Sequence, residues 1–348
     1  MFDGRGVVVD AGGTRARGTR GASNLAAVRR DQGSLIALAV SVVLLTGFVS
    51  TSVGIGHGPQ PNDLPVVIVP GADRDLYAAF VERGFSPTVA DDRREGREEV
   101  LAGNAYAVVE PGEPLVVASA ASFTAADLLT ATFSPGRQVD DVRPLDPDDP
   151  RGTSINVTLL PLIAWPVVAA LLSHALASRF SERGRLAILA LSGLGGAVAV
   201  MVVVRGVIGA MPGSLLALSG VAALGVIAIA TVTAGLVRWL GWAGAGVSVL
   251  VFLVVGHAAS GAASAPELLP DPWSWFGQLL PPGAMATGLR NVAYFDAAEA
   301  SRWLVVLLVW AAAGVASLAS PLTPRRRRPP LESPLRPLAD EDGEGIAR

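Results

Sequence analysis

Hydrophobic positions along this chain gather into six long runs separated by polar stretches. The first run covers 34–55. A largely polar stretch, 56–154, follows it. Five further runs occupy 155–178, 186–205, 215–237, 243–262 and 303–320. A helix needs about 20 mostly apolar residues to cross the hydrocarbon core of a bilayer. Each run is near that length and none carries a charge at its centre. The pattern predicts a polytopic α-helical membrane protein with six transmembrane helices and one water-exposed domain inserted after the first. The first run is longer than the roughly 7–15-residue core of a signal peptide, so it reads as a retained anchor.

Within 56–154 the period of the pattern switches repeatedly. Leu64–Pro70, Pro87–Ala90, Ala105–Val109, Leu115–Ala118 and Val139–Leu145 are short and rich in β-branched residues, as strands are. Asp73–Arg83 places Leu76, Phe80 and Val81 at helical spacing, and Gly84 stops it. Arg93–Leu101 is a charged helix. Ser122 caps a third, with Leu128, Leu129 and Phe133 on one face. Strands alternating with helices predict a small α/β domain with its own core.

Charge orients the spans. Basic residues collect in cytoplasmic loops. Arg5, Arg15, Arg17, Arg20, Arg29 and Arg30 precede the first span, Arg179, Arg183 and Arg185 follow the second, Arg238 follows the fourth, and Arg325–Arg328 open the tail. The opposite short loops hold only Arg205, Arg290 and Arg302. Both termini are expected inside and 56–154 outside. Residues 1–33 read as a disordered basic cytoplasmic segment and 321–348 as a disordered cytoplasmic tail. Val8–Arg15 has the glycines of a phosphate-binding turn, but too little chain follows it before the first span for the domain such a turn needs. All 27 basic residues are arginine, which reads as codon bias of a GC-rich bacterial gene. The expected location is a bacterial plasma membrane.

Composition removes several function classes. The chain is 51% hydrophobic and 16% charged, against about 25% charged in a soluble domain. Its net charge of −3 implies no nucleic-acid partner. It has no cysteine, hence no disulfide, thiolate metal site or cysteine nucleophile. The insert carries 17 acidic residues against 8 arginines, which reads as a solvated acidic face. Asp146, Asp148 and Asp149 could offer oxygen ligands to calcium. They lack the glycine and spacing of an EF-hand loop and read better as a rigid acidic linker between Pro144 and Pro150. No residue is assigned as catalytic, cofactor-binding or metal-ligating, and no cofactor is expected.

Five residues are singled out on physical grounds. His174 and His257 lie within predicted spans, where ionisable groups are functional candidates. A proton relay would need both to face one cavity. Neither has an acid or lysine in a neighbouring turn, so hydrogen-bonded packing is the stronger reading. Prolines bracket two short helices in 263–302, read as an interfacial or re-entrant pair. There Trp273 and Trp275 would sit at headgroup level and Arg290 near the outer surface. Small residues such as Ser192, Gly195, Gly196, Ala199, Gly220 and Gly225 let spans approach closely, within one bundle or across a homodimer.

One span, an exported α/β domain and then five spans resemble the permease-like membrane proteins of the phage-infection-protein type, within the type-2 ABC exporter superfamily. Leu64–Pro70, Arg97–Val109 and Ser260–Pro270, continuing to Leu280–Ala284 and Leu289–Arg290, carry the resemblance. It implies an export-type permease that works as a homodimer or permease pair in the lipid bilayer, with a separate ATP-binding-cassette subunit. The chain has no Walker A motif of its own, so no enzyme activity is expected of it. The short 179–185 loop departs from such permeases, which usually offer their ATPase a cytoplasmic coupling element.

Overall fold

The computed structural model describes residues 58–320 apart from 70–73, 137, 177–178 and 299, with scattered positions between 42 and 53. The expected segments 1–33 and 321–348 lie outside the described residues, as does most of the expected first span, 34–55. Two parts are described: a small sheet domain and a helical bundle.

The sheet domain runs β1 (Leu64–Ile68), α1 (Arg74–Glu82), β2 (Phe85–Val89), α2 (Arg93–Ala102), β3 (Ala107–Val109), β4 (Leu115–Val117), α3 (Phe123–Phe133) and β5 (Val139–Asp141). Strand order is β2-β1-β3-β4-β5. Strand β1 is parallel to β2 and to β3, with Leu64 opposite Phe85 and Val67 opposite Val108. Strand β4 runs antiparallel to β3 and parallel to β5. The sheet is therefore mixed. Residues 110–114 between β3 and β4 turn tightly, with the Glu113 amide donating to the Glu110 carbonyl at 3.2 Å. So short a link closes a hairpin and cannot carry a parallel crossover.

Local chemistry sets the helix starts. The Asp92 carboxylate accepts the Glu95 amide at 2.8 Å ahead of α2, and Ser122 accepts the Ala125 amide at 3.1 Å ahead of α3. Helices α1 and α3 cover one sheet face, where Phe80 stacks on Phe133 at 4.6 Å and both meet Phe85. Phe80 is buried whereas Val81 beside it is exposed, so the apolar stripe of α1 is narrower than its sequence suggests. Helix α2 covers the other face through Gly96. A Cβ there would stand 2.9 Å from Val108.

The bundle holds α4 (Ser154–Ala175), α5 (Glu182–Met201), α6 (Leu215–Leu240), α7 (Trp242–Ser248), α8 (Trp273–Gln278), α9 (Pro281–Tyr294) and α10 (Ala300–Ala319). Helix α5 continues as a π-helix over Val202–Ile208, and α7 over Val249–Gly256. Among the described residues, four helices are long and apolar enough to cross a membrane: Ser154–Ala175, Arg183–Ile208, Leu215–Leu240 and Ala300–Ala319. This is a membrane-embedded chain. The run expected to span over 243–262 forms a shorter apolar helix, Trp242–Gly256. It gives way to a turn at Ser260 and to Gly261, whose φ is +69°. Helix α6 is central. Its apolar window is 61% buried inside the protein, against 28% for α5 and 22% for α10, so the last two turn most of their surface outward. Helices α6 and α10 cross backbone to backbone at Gly314, where a Cβ would lie 2.7 Å from the Val232 amide. Small residues permit that approach.

The sheet domain does not close a core of its own on both faces. One buried apolar cluster runs from Val67, Val108 and Val116 of the sheet through Ile155 and Leu159 of α4 to Met285 and Leu289 of α9. The other sheet face takes in Ala265 and Leu268 from the segment after α7. The physical reason is area. A sheet of strands this short, under three helices, leaves apolar surface that the bundle covers.

Candidate functional site

Several buried and half-buried polar groups meet at the seam where the sheet domain joins the bundle. Strand β3 begins just after Tyr106. Its hydroxyl donates to Glu267 Oε2 at 2.8 Å. Glu267 belongs to a 3-10 turn over Pro266–Leu268, and its carbonyl accepts the Asn62 amide at 2.8 Å. The Asn62 side chain donates to the Leu269 carbonyl at 3.2 Å. Arg290 of α9 reaches the same segment, and its Nη2 donates to the carbonyls of Gly261, Ala262 and Ser264 at 3.4, 3.2 and 3.5 Å. Desolvation raises the Tyr106 hydroxyl well above its ordinary pKa, and the Glu267 charge adds to this. Burial lowers the Arg290 guanidinium, while Tyr106, Glu267 and Tyr294 counteract that shift. Arginine stays charged nonetheless, so Arg290 and Glu267 compensate each other across a half-buried seam.

A second anchor sits beside it. Asp149 is 6% exposed. Its Oδ1 accepts the Thr153 amide at 2.9 Å and the Thr153 hydroxyl at 3.3 Å. Its Oδ2 accepts the Ser154 amide at 3.0 Å and the Ser154 hydroxyl. The carboxylate thus closes the N-terminus of α4, where negative charge is favoured by the helix dipole. Asp146 accepts the Asp148 amide at 3.0 Å in a local turn. This part of the acidic cluster is a cap for α4. No group of three or more acids and histidines among the described residues could hold a metal ion.

The residues singled out from sequence separate in space. His174 packs edge-on to Trp242 at 6.4 Å, at the end of α4 remote from the sheet. His257 faces the backbone of Asn156 at the sheet-proximal end of α4. Its Nε2 is buried with no hydrogen-bond partner. Residues 156 and 174 lie 18 positions apart on one helix, about 27 Å along its axis, so the two imidazoles do not share a cavity. Trp275 is 55% exposed and meets Phe276 at 6.1 Å, while Trp273 meets the same ring at 6.2 Å. Helix α8 therefore lies at the surface. Helix α9 does not: Pro281, Ala284, Met285, Gly288 and Leu289 are buried against α4, α6 and α10. Of the short pair only the first helix is peripheral. The second enters the bundle and carries Arg290 with it.

Sequence reasoning missed Tyr106, Glu267, Tyr294 and the capping role of Asp149. One signal was available. Glu267 is the sole acid in the apolar stretch from His257 to Pro270, and an acid there requires a donor.

Compared with known protein families, curated proteins and solved structures, the chain matches none. The seam's chemistry is that of an anchored junction lined with hydrogen-bond donors.

Proposed function

We propose that the chain is a permease-like subunit of an ABC-type exporter, moving a hydrophobic or lipid-like substrate outward with a separate ATPase. The observation that carries this reading is the convergence of irregular backbone at the sheet-proximal half of the bundle. The π-helix Val249–Gly256, with Phe252, Val254 and Gly256 buried, lies there, while the π-helix Val202–Ile208 faces outward. Pro161 and Pro166 interrupt the hydrogen bonding of α4, and α9 enters the bundle without spanning it. Broken helices at membrane depth are tolerated only inside protein or around a cavity, and transporters place substrate sites at such breaks. In this reading the sheet domain is extracytoplasmic in a bacterial plasma membrane. The outward surfaces of α5 and α10, where Gly195 faces open space, offer contacts for a second copy in a permease pair.

The alternative is a non-transport membrane protein whose exported domain binds an envelope partner or surface ligand. A specific observation favours it. Residues 176–181 alone link α4 to α5, and Gly241 alone links α6 to α7, which leaves an ATPase little to grip among the described residues.

Affinity recovery of the tagged full chain from native membranes decides between them. Stoichiometric recovery of an ATP-binding-cassette subunit is expected. Recovery of an envelope protein without any ATPase sinks the transport reading. Deleting the sheet domain is a poor test, because Val67, Val108 and Val116 share the core of the bundle. Charge reversal at exposed Glu98 of α2 probes the domain surface without that damage.

A further inference from the structure

Helix α8 turns two large apolar side chains away from the protein. Trp275 and Leu279 are exposed and stand four positions apart, on one face of the helix. What covers that face depends on how deep α8 sits in the membrane. Three sets of contacts fix the depth.

The first is the contact with α10. The Trp310 indole donates to the Leu279 carbonyl at 2.8 Å. Helix α10 starts on the sheet side, where Asp296 just ahead of it pairs with Arg143. Its 20 residues make about 30 Å, the thickness of a hydrocarbon core. Trp310 is ten positions from Ala300, about 15 Å along the axis. Helical side chains lean toward the N-terminus, so the indole and the Leu279 carbonyl lie about 10–15 Å below the sheet-side edge of that core.

The second is the antiparallel packing of α9 on α6. Ala293 lies against Gly213, Gly288 against Val221 and Met285 against Gly225. Gly225 is ten positions inside α6, again about 15 Å down. Pro281 precedes Met285 by one further turn of α9, so the bend between α8 and α9 is at least that deep. The third is the upper end of α8. The Asn62 side chain donates to Ser274 Oγ at 3.4 Å and to the Leu269 carbonyl at 3.2 Å, which holds the start of α8 at the seam. Helix α8 therefore descends toward the middle of the bundle and α9 climbs back.

The bend suits that depth chemically. In hydrocarbon every backbone polar group needs a partner within the protein. The Leu279 and Leu280 amides donate to the carbonyls of Phe276 and Gly277 at 3.1 and 3.2 Å. Pro281 and Pro282 have no N–H to satisfy. The Leu279 carbonyl accepts the Trp310 indole, and the Leu280 carbonyl accepts the Ala284 amide at 3.1 Å. Gln278, the polar side chain nearest the bend, donates to the Ser260 carbonyl at 3.0 Å and accepts the Thr287 hydroxyl at 2.7 Å. What remains on the outside is apolar, and it adjoins the outward surface of α10.

We propose that α8 is a re-entrant helix whose outer face, Trp275 and Leu279, is a contact surface for lipid acyl chains in the leaflet on the sheet side. The occupant is hydrocarbon, not the headgroup layer. The surface stands whether or not the chain transports anything.

The test uses the full-length protein in phosphatidylcholine bilayers. The chain has no cysteine, so single cysteines can carry a nitroxide label without further changes. Trp275→Cys and Leu279→Cys report on α8. Val309→Cys, exposed beside Trp310 on α10, marks the middle of the bilayer, and Glu98→Cys, exposed on α2, marks water. Each label is read by collision with oxygen, which concentrates in hydrocarbon, and with a nickel chelate, which stays in water. Leu279 lies about 6 Å deeper than Trp275 if α8 descends. The oxygen-to-nickel ratio at 279 is then severalfold above that at 275 and close to that at 309. Equal, low ratios at 275 and 279 mean a helix lying flat among headgroups and overturn the proposal. A label at 279 as open to nickel as the one at 98 also overturns it. So does a label at 279 shielded from both reagents, because protein then covers the face. A second measurement needs no label: lipid brominated at mid-chain should quench more emission from the native protein than from Trp275→Phe, and equal quenching in the two overturns the contact.

Discussion

Replacing Asp149 by alanine tests the cap that closes the start of α4. The carboxylate accepts two backbone amides, of Thr153 and Ser154, at 2.9 and 3.0 Å, and two hydroxyls. Hydrogen bonds to a charged acceptor contribute about 1.5 kcal/mol or more each. After truncation the hydroxyls can turn to water that enters the vacated space, but the two amides are fixed by the helix. Their loss alone comes to about 3 kcal/mol, well above the roughly 1 kcal/mol of a typical substitution. Asp149→Asn keeps one acceptor oxygen and points an NH2 group at donors, so about half or more of that loss is expected. Equilibrium unfolding in mixed micelles, followed by far-ultraviolet circular dichroism, measures both variants. An Asp149→Ala protein within about 0.5 kcal/mol of the native chain, the range of ordinary surface changes, refutes the capping role. A calcium-dependent rise of the native midpoint that Asp149→Ala abolishes would restore the metal reading of this acidic cluster.

Three further outcomes are expected. Gly314→Val forces α10 away from the Val232 backbone and should cost about 1–3 kcal/mol, whereas Gly220→Ala, which faces open space inside α6, should leave the thermal midpoint unchanged or raise it slightly. Tyr106 and Tyr294 both hold their protons above the ordinary tyrosine value. Unfolded protein releases them first, so stability is full below about pH 10 and falls as pH rises through the raised values. At about pH 11 the native protein should show less tyrosinate absorbance than the denatured protein, and Tyr106→Phe should flatten the alkaline loss of stability. Gly277→Ala would drive a Cβ to within 2.6 Å of the Ala259 carbonyl carbon, so α8 should detach from the end of α7 and amide exchange at 273–280 should accelerate.

Much of the fold was legible one element at a time. Apolar runs of span length located Ser154–Ala175, Leu215–Leu240 and Ala300–Ala319 to within a few residues, because length and hydropathy are local properties. Strand β1, helix α2 and helix α3 were likewise marked by β-branched runs and by caps at their own ends. The candidate site was far less legible. Arg290 stood out as a charge in an apolar segment, but its setting did not follow from that segment.

What the sequence determined by itself is the inventory: which stretches prefer helix, strand or lipid, and where each begins. Tertiary structure alone decided that β4 runs antiparallel to β3 and that α9 is buried while α8 is not. It also decided the seam. Tyr106 meets Glu267 across 161 residues of chain, and Asn62 meets Ser274 across 212. Helical and strand periodicities act over three or four positions. Nothing at that range records which distant surface will cover an unfilled sheet face. The sheet and the bundle find each other because each leaves apolar area that only the other can bury.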